Sequence, residues 1–135
     1  MKAKFFFYYV LPIIIYIGLI FYFSSQSVIY AEIVLRERAG LPIQSWAMHI
    51  AEYAILSLLL YRALIKTKFK KYSFVLAVII SIFYGLSDEV HQIFVVGCSF
   101  YFYDLVLDGI GGFLMQISIK IKEKIWKNNW RKLYI

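Results

Sequence analysis

Four apolar runs, each about twenty residues long, leave this chain few ways to fold. They are Phe5 to Phe23, Trp46 to Ile65, Ser73 to Val96 and Tyr101 to Ile119. At about 1.5 Å of rise per residue, a helix of that length crosses a hydrocarbon core of roughly 30 Å. In lipid each backbone N–H and C=O must find its partner internally, and a helix does this within one segment. The expected fold is all-α: an integral membrane bundle of four transmembrane helices, one domain over residues 1–135. A short interfacial helix after helix 1 and a basic interfacial C-terminal tail complete it. The composition agrees, with 62% hydrophobic residues and a mean hydropathy of +0.71, outside the soluble globular range.

The connections carry their own signals. Lys2 and Lys4 precede the first run, which is longer than a signal-peptide core and has no small-residue cleavage site after it, so it is expected to stay as helix 1. Pro12 lies inside it and should kink it or be accommodated by neighbours. The run ends in a hydroxyl and amide cluster, Ser24 to Ser27. Val28 to Ala39 alternates apolar and charged residues as a short interfacial helix would, and Gly40 and Pro42 stop it. Ser45 is the expected N-cap of helix 2. In the tail, Trp126 and Trp130 stand one turn apart among six cations, as an interfacial anchor places them.

Charge sets an orientation. Of the 15 Lys and Arg, two precede helix 1, five lie in 62–72 and six in the tail, against two in the segment between helices 1 and 2 and none between helices 3 and 4. The positive-inside rule then puts both termini in the cytoplasm. Cations that flank apolar runs suit lipid headgroups, and no nucleic-acid partner is expected. A single cysteine, Cys98, allows no internal disulfide.

The most polar stretch inside an apolar run is Tyr84 to Gln92, Tyr-Gly-Leu-Ser-Asp-Glu-Val-His-Gln. Ionisable groups are costly in hydrocarbon, so such a stretch marks a functional site facing the bundle interior or a water-filled pocket. Helical spacing puts Tyr84, Ser87, Asp88 and His91 on one stripe, with Glu89 and Gln92 beside it. His49, Glu52 and Tyr53 share a face at the start of helix 2, and Asp104 and Asp108 stand one turn apart at the start of helix 4, ahead of Gly109, Gly111 and Gly112. Small residues there let another helix approach closely. In the expected orientation all these groups, with Ser25 and Gln26, gather in the outer half of the bundle.

Two readings of that gathering stay open. Two histidines and several carboxylates on facing helices are ligand types for zinc or another divalent metal, with His49, Glu52, His91 and Asp104 as the set. Alternatively they form a hydrogen-bonded polar core that fixes helix register. Four ionised carboxylates this close would repel, so protons, partners or a cation must compensate them.

His49-x-x-Glu52-Tyr53, then Tyr84-Gly85-x-x-Asp88-Glu89-x-His91-Gln92, then Asp104 with a polar residue four on and Gly111 three beyond that, resembles the VanZ-like membrane proteins. The Phe23-Ser24-Ser25-Gln26 end of helix 1 is similar too. The resemblance implies a protein of the bacterial cell membrane with a role like teicoplanin resistance, binding or acting on cell-envelope lipids, a lipid-linked cell-wall precursor or a lipoglycopeptide. Ser25, Gln26, Tyr53, Tyr84, Ser87, Gln92 and Asp108 are then candidate binding residues, and His49, Glu52, Asp88, Glu89, His91 and Asp104 candidate catalytic ones. Rival readings are a metal-dependent membrane hydrolase of a lipid-linked phosphate or ester and a proton-coupled transporter subunit. The chain departs from the family pattern in three places: Val96-Gly97-Cys98 replaces Pro-Gly-Arg, Asp108 replaces Asn, and Trp46 occupies a region where a basic residue often stands. If the family arginine holds a phosphate or carboxylate of a substrate, this chain must use a metal ion or one of Arg36 and Arg38 instead, or has lost that affinity.

Overall fold

The computed structural model describes residues 2–25, 43–95, 98 and 100–133, and among them it is helical without strands. Helix α1 (Lys2–Phe5) passes through a π-helical turn, Phe6–Val10, into α2 (Leu11–Ser24). Helices α3 (Ile43–Leu64), α4 (Ser73–Gln92) and α5 (Phe102–Leu133) follow. Among the described residues four helical stretches are long and apolar enough to cross a membrane: Ala3–Ser24, Trp46–Leu64, Lys70–Gln92 and Phe102–Lys127. The chain is therefore a multi-pass membrane protein.

The π turn accounts for Pro12. Proline has no N–H to donate and its ring crowds the carbonyl four residues back, so an α-helical register fails there. The Leu11 N–H bonds instead to the Phe6 carbonyl, five residues back, and the helix resumes with proline in its first turn.

Helices α3, α4 and α5 form the packed unit, with the α3–α5 contact the most extensive. The first span stands at its side: 6% of its apolar window is buried, against 33% for the α3 span. Its one buried side chain among those described, Ile20, joins Tyr53, Leu56, Leu60, Tyr61 and Ala77 in the core. Lipid tails are as apolar as leucine, so hydrophobicity alone does not drive these helices together. Close packing and hydrogen bonds do. Large apolar residues such as Phe83 and Phe94 face outward, while Ser57, Ser81, Asp88, Glu89, Asp108 and Gln116 are buried. Gln116 Nε2 donates to the Ser57 carbonyl at 3.0 Å and to Ser57 Oγ at 2.8 Å, and Ser57 Oγ donates to the Gly112 carbonyl at 3.1 Å. This joins α3 to α5 near mid-span.

Three expectations are corrected. Helix α3 starts at Ile43, so Ser45 lies in its first turn and is not the N-cap. Helix α4 ends at Gln92, short of Val96, because the Phe94 and Val95 N–H groups turn back to His91 and Gln92. Helix α5 does not stop at Ile119 but runs unbroken to Leu133, so the basic tail begins as its continuation. The expected interfacial helix from Val28 to Ala39, Gln26, and Gly97 and Ser99 of the α4–α5 connection lie outside the described residues.

Candidate functional site

Helices α2 and α4 reach one end of the bundle with their C-termini, and α3 and α5 reach it with their N-termini. The polar segments of all four therefore meet at that end, in two adjoining clusters.

The first cluster is centred on His49. Its Nδ1 pairs with Asp108 Oδ1 at 3.0 Å, and its Nε2 lies 3.9 Å from Asp104 Oδ2. Asp104 and Asp108 are four residues apart on one face of α5, which lets both carboxylates flank one imidazole. Glu52 lies within electrostatic reach of His49, Asp88 and Asp108, and Glu89 within reach of His49, Asp104 and Asp108. Glu89 Oε2 accepts the Tyr101 N–H at 2.9 Å. That bond ties α4 to the start of α5 and sets a carboxylate at a helix N-terminus, where the helix dipole favours negative charge. Tyr53, 1% exposed, completes the cluster.

Four oxygens here are buried without a hydrogen-bond partner in the structure: Tyr53 OH, Asp88 Oδ1, Glu89 Oε1 and Asp108 Oδ2. A buried, unmatched polar atom costs roughly 1–3 kcal/mol. Three carboxylate oxygens, which accept, and one phenol, which can donate or accept, leave hydrogen-bonding capacity open at one end of the bundle.

Gly85 makes this arrangement fit. A Cβ there would stand 2.6 Å from Asp108 Oδ2 and 3.2 Å from Tyr53 Cε1. Gly85→Ala is accordingly expected to displace the Asp108 carboxylate and cost about 1–2 kcal/mol. Thermal unfolding of the purified protein checks this beside Gly18→Ala, where nothing lies within 4 Å of the added methyl; equal midpoints for the two variants would refute it.

The second cluster fastens the first span to α4. Ser25 Oγ donates to the Phe21 carbonyl at 2.6 Å and lies 3.0 Å from His91 Nε2. A hydroxyl has one proton, so His91 Nε2 carries the hydrogen and donates to Ser25. The His91 and Phe21 rings stack with centroids 4.3 Å apart. Gln92 Nε2 donates to Ser24 Oγ at 3.3 Å, and Asp88 lies within electrostatic reach of His91. Lower down, Tyr84 OH donates to the Ile17 carbonyl at 2.8 Å and Tyr16 OH to the Glu52 carbonyl at 3.2 Å.

The candidate residues thus divide. His49, Glu52, Tyr53, Asp88, Glu89, Asp104 and Asp108 come together around the imidazole. Ser25, Tyr84, His91 and Gln92 serve the latch between helices. Ser87 leaves the expected stripe: it is exposed, and its hydroxyl donates back to the Tyr84 carbonyl at 2.7 Å. The four-residue metal set is not assembled: His91 is engaged by Phe21 and Ser25. Among the described residues no group of three or more His, Cys, Asp or Glu is placed to hold a metal ion.

Sequence reasoning passed over Tyr16, Ser24 as a partner of Gln92, Gly85 as the space-maker, and the Ser57–Gln116 pair. Only Gln116, an amide inside an apolar run, carried a signal that could have found it.

No curated protein and no solved structure is a significant match to the chain. The family model VanZ/LLP1 matches residues 6–123. That range reaches into all four spans and contains every residue of both polar clusters, and the chain belongs to the VanZ/LLP1 family.

Proposed function

We propose that the polar end faces the outside of a bacterial cell membrane and binds the donor-rich portion of a cell-envelope lipid, a lipid-linked cell-wall precursor or a lipoglycopeptide such as teicoplanin. The observation that carries this is the group of four unpartnered buried oxygens around His49. Amines, amide N–H groups and sugar hydroxyls supply the donors such a surface lacks. Among the described residues this end contains no Lys or Arg, so the acceptors around His49 have no cationic donor among them. The cations of 62–72 and of the tail, at the other end of the spans, support the orientation through the positive-inside rule. A reporter fused at residue 68 is expected to read out as cytoplasmic, and an external reading would refute the orientation.

Binding is tested with the protein in nanodiscs, using teicoplanin and a lipid-linked disaccharide-peptide as probes. A hydrogen bond to a charged group contributes about 1.5–3 kcal/mol, so Glu89→Gln and Asp88→Asn are each expected to weaken binding roughly tenfold or more, while Ser87→Ala leaves it unchanged. Failure of the native protein to bind either probe, or indifference to both acidic variants, would sink this reading.

A second reading rests on the His49 geometry. An imidazole oriented through Nδ1 by a buried carboxylate, with Nε2 pointing on, is the base-and-orienter arrangement of a general acid–base catalyst. Turnover of an ester or phosphoester envelope lipid that disappears in His49→Gln, with binding retained, would select this reading over binding alone.

A further inference from the structure

At the basic end of the bundle, away from the polar clusters, α3 and α5 line a cleft of about 400 Å³. Leu58, Ile65 and Ile119 line it, and Tyr61 donates to Glu123 at 2.8 Å across the lining. Arg62 and Lys122, both exposed, flank its mouth, with Trp126 beside them. We propose that this cleft is a binding site for an anionic glycerophospholipid, with an acyl chain against the apolar wall and the phosphate between Arg62 and Lys122.

Three observations support that occupant. The charges are complementary: among the described residues neither Arg62 nor Lys122 lies within ion-pair distance of a carboxylate, while Glu123 is engaged by Tyr61 and by Lys120, 4.0 Å away. The depth is right. Counting from Phe102 at about 1.5 Å per residue, a core of roughly 30 Å ends near residue 122, so Lys122 and Trp126 stand at headgroup level while Leu58 and Ile119 lie among the chains. Tryptophan is enriched at that level. Finally, the other cations of 62–72 and of the tail surround the same end, and basic clusters next to a membrane concentrate anionic lipid there.

The test uses Trp126 as the reporter. A variant with Trp46→Phe and Trp130→Phe leaves it as the sole tryptophan, and the protein is placed in phosphatidylcholine bilayers that contain a small mole fraction of either brominated phosphatidylglycerol or brominated phosphatidylcholine. Two cations near the surface each contribute to anion attraction, and screening by salt reduces the sum; quenching by the anionic lipid is expected at about tenfold lower mole fraction than by the zwitterionic one. Adding Arg62→Gln and Lys122→Gln should abolish the difference. Soluble glycerol phosphate should not relieve quenching, which separates a lipid site from a phosphate site. Equal quenching by the two lipids, relief by glycerol phosphate, or a preference that survives the double substitution would each overturn the proposal. Should the double variant fail to fold, the comparison of the two lipids on the native cleft decides alone.

Discussion

Gly111→Ala is expected to be the most damaging single-methyl change in the chain, and Gly111→Val to prevent the bundle from forming. A Cβ at Gly111 would fall on the carbonyl oxygen of Ile50 and stand 2.9 Å from the Ile50 Cα and carbonyl carbon. Those are backbone atoms of α3, with no rotamer to turn away, so the whole helix must shift. The α3–α5 contact is the broadest in the molecule, and it carries the Ser57–Gln116 bonds and the His49–Asp108 pair. Overpacking a fitted contact costs about 1–3 kcal/mol; a backbone-to-backbone collision belongs at the upper end. The neighbouring glycine supplies the control. A methyl at Gly112 would meet Ser81 Cβ at 3.5 Å and Ser57 Cβ at 3.6 Å, ordinary contact distances. Unfolding of the two alanine variants in the same detergent should therefore separate widely, and equal stability would show that α3 does not rest on Gly111.

That contrast also shows what was legible in the sequence. The Gly109-x-Gly111-Gly112 stretch announces close approach of a helix, but not which glycine touches what; only packed helices separate Gly111, against backbone, from Gly109, where an added Cβ would meet only the Ile82 side chain, at 3.5 Å. The four spans and the convergence of their polar ends follow from hydropathy and alternation of direction, both local properties of the chain. Side-chain partners do not follow. His91 and Asp88 share a helical stripe in the sequence, yet His91 bonds to Ser25, because a partner across a helix pair depends on rotation about the helix axis. Ser87 sits on the same stripe and still faces outward, and the three-residue spacing that suggested it gives its hydroxyl the Tyr84 carbonyl as a local acceptor. The basic stretch after Ile119 looks like a separate surface segment because its composition changes, whereas its backbone continues the same helix: Lys and Arg are good helix formers.

The pair His49 and Asp108 allows stability and binding to be pulled apart. Asp108 is 1% exposed, its Oδ2 has no partner, and its Oδ1 depends on His49 Nδ1 at 3.0 Å. His49→Leu therefore strands a buried carboxylate, which costs about 3–5 kcal/mol when one member of a buried pair is removed. Asp108→Asn keeps the shape and lets an amide bond to the ring, so it should cost about 1 kcal/mol. The double variant has an apolar side chain facing a neutral amide and no stranded charge. It should unfold at a higher midpoint than His49→Leu alone, with a coupling of roughly 2 kcal/mol in the cycle. Binding of the envelope-lipid probe should not recover with it, since the carboxylate at position 108 and the imidazole are both gone. A strictly additive cycle would mean that the two side chains are neighbours without being partners. Recovery of binding along with stability would mean that the cluster around His49 shapes the bundle, and that the ligand is held elsewhere at that end.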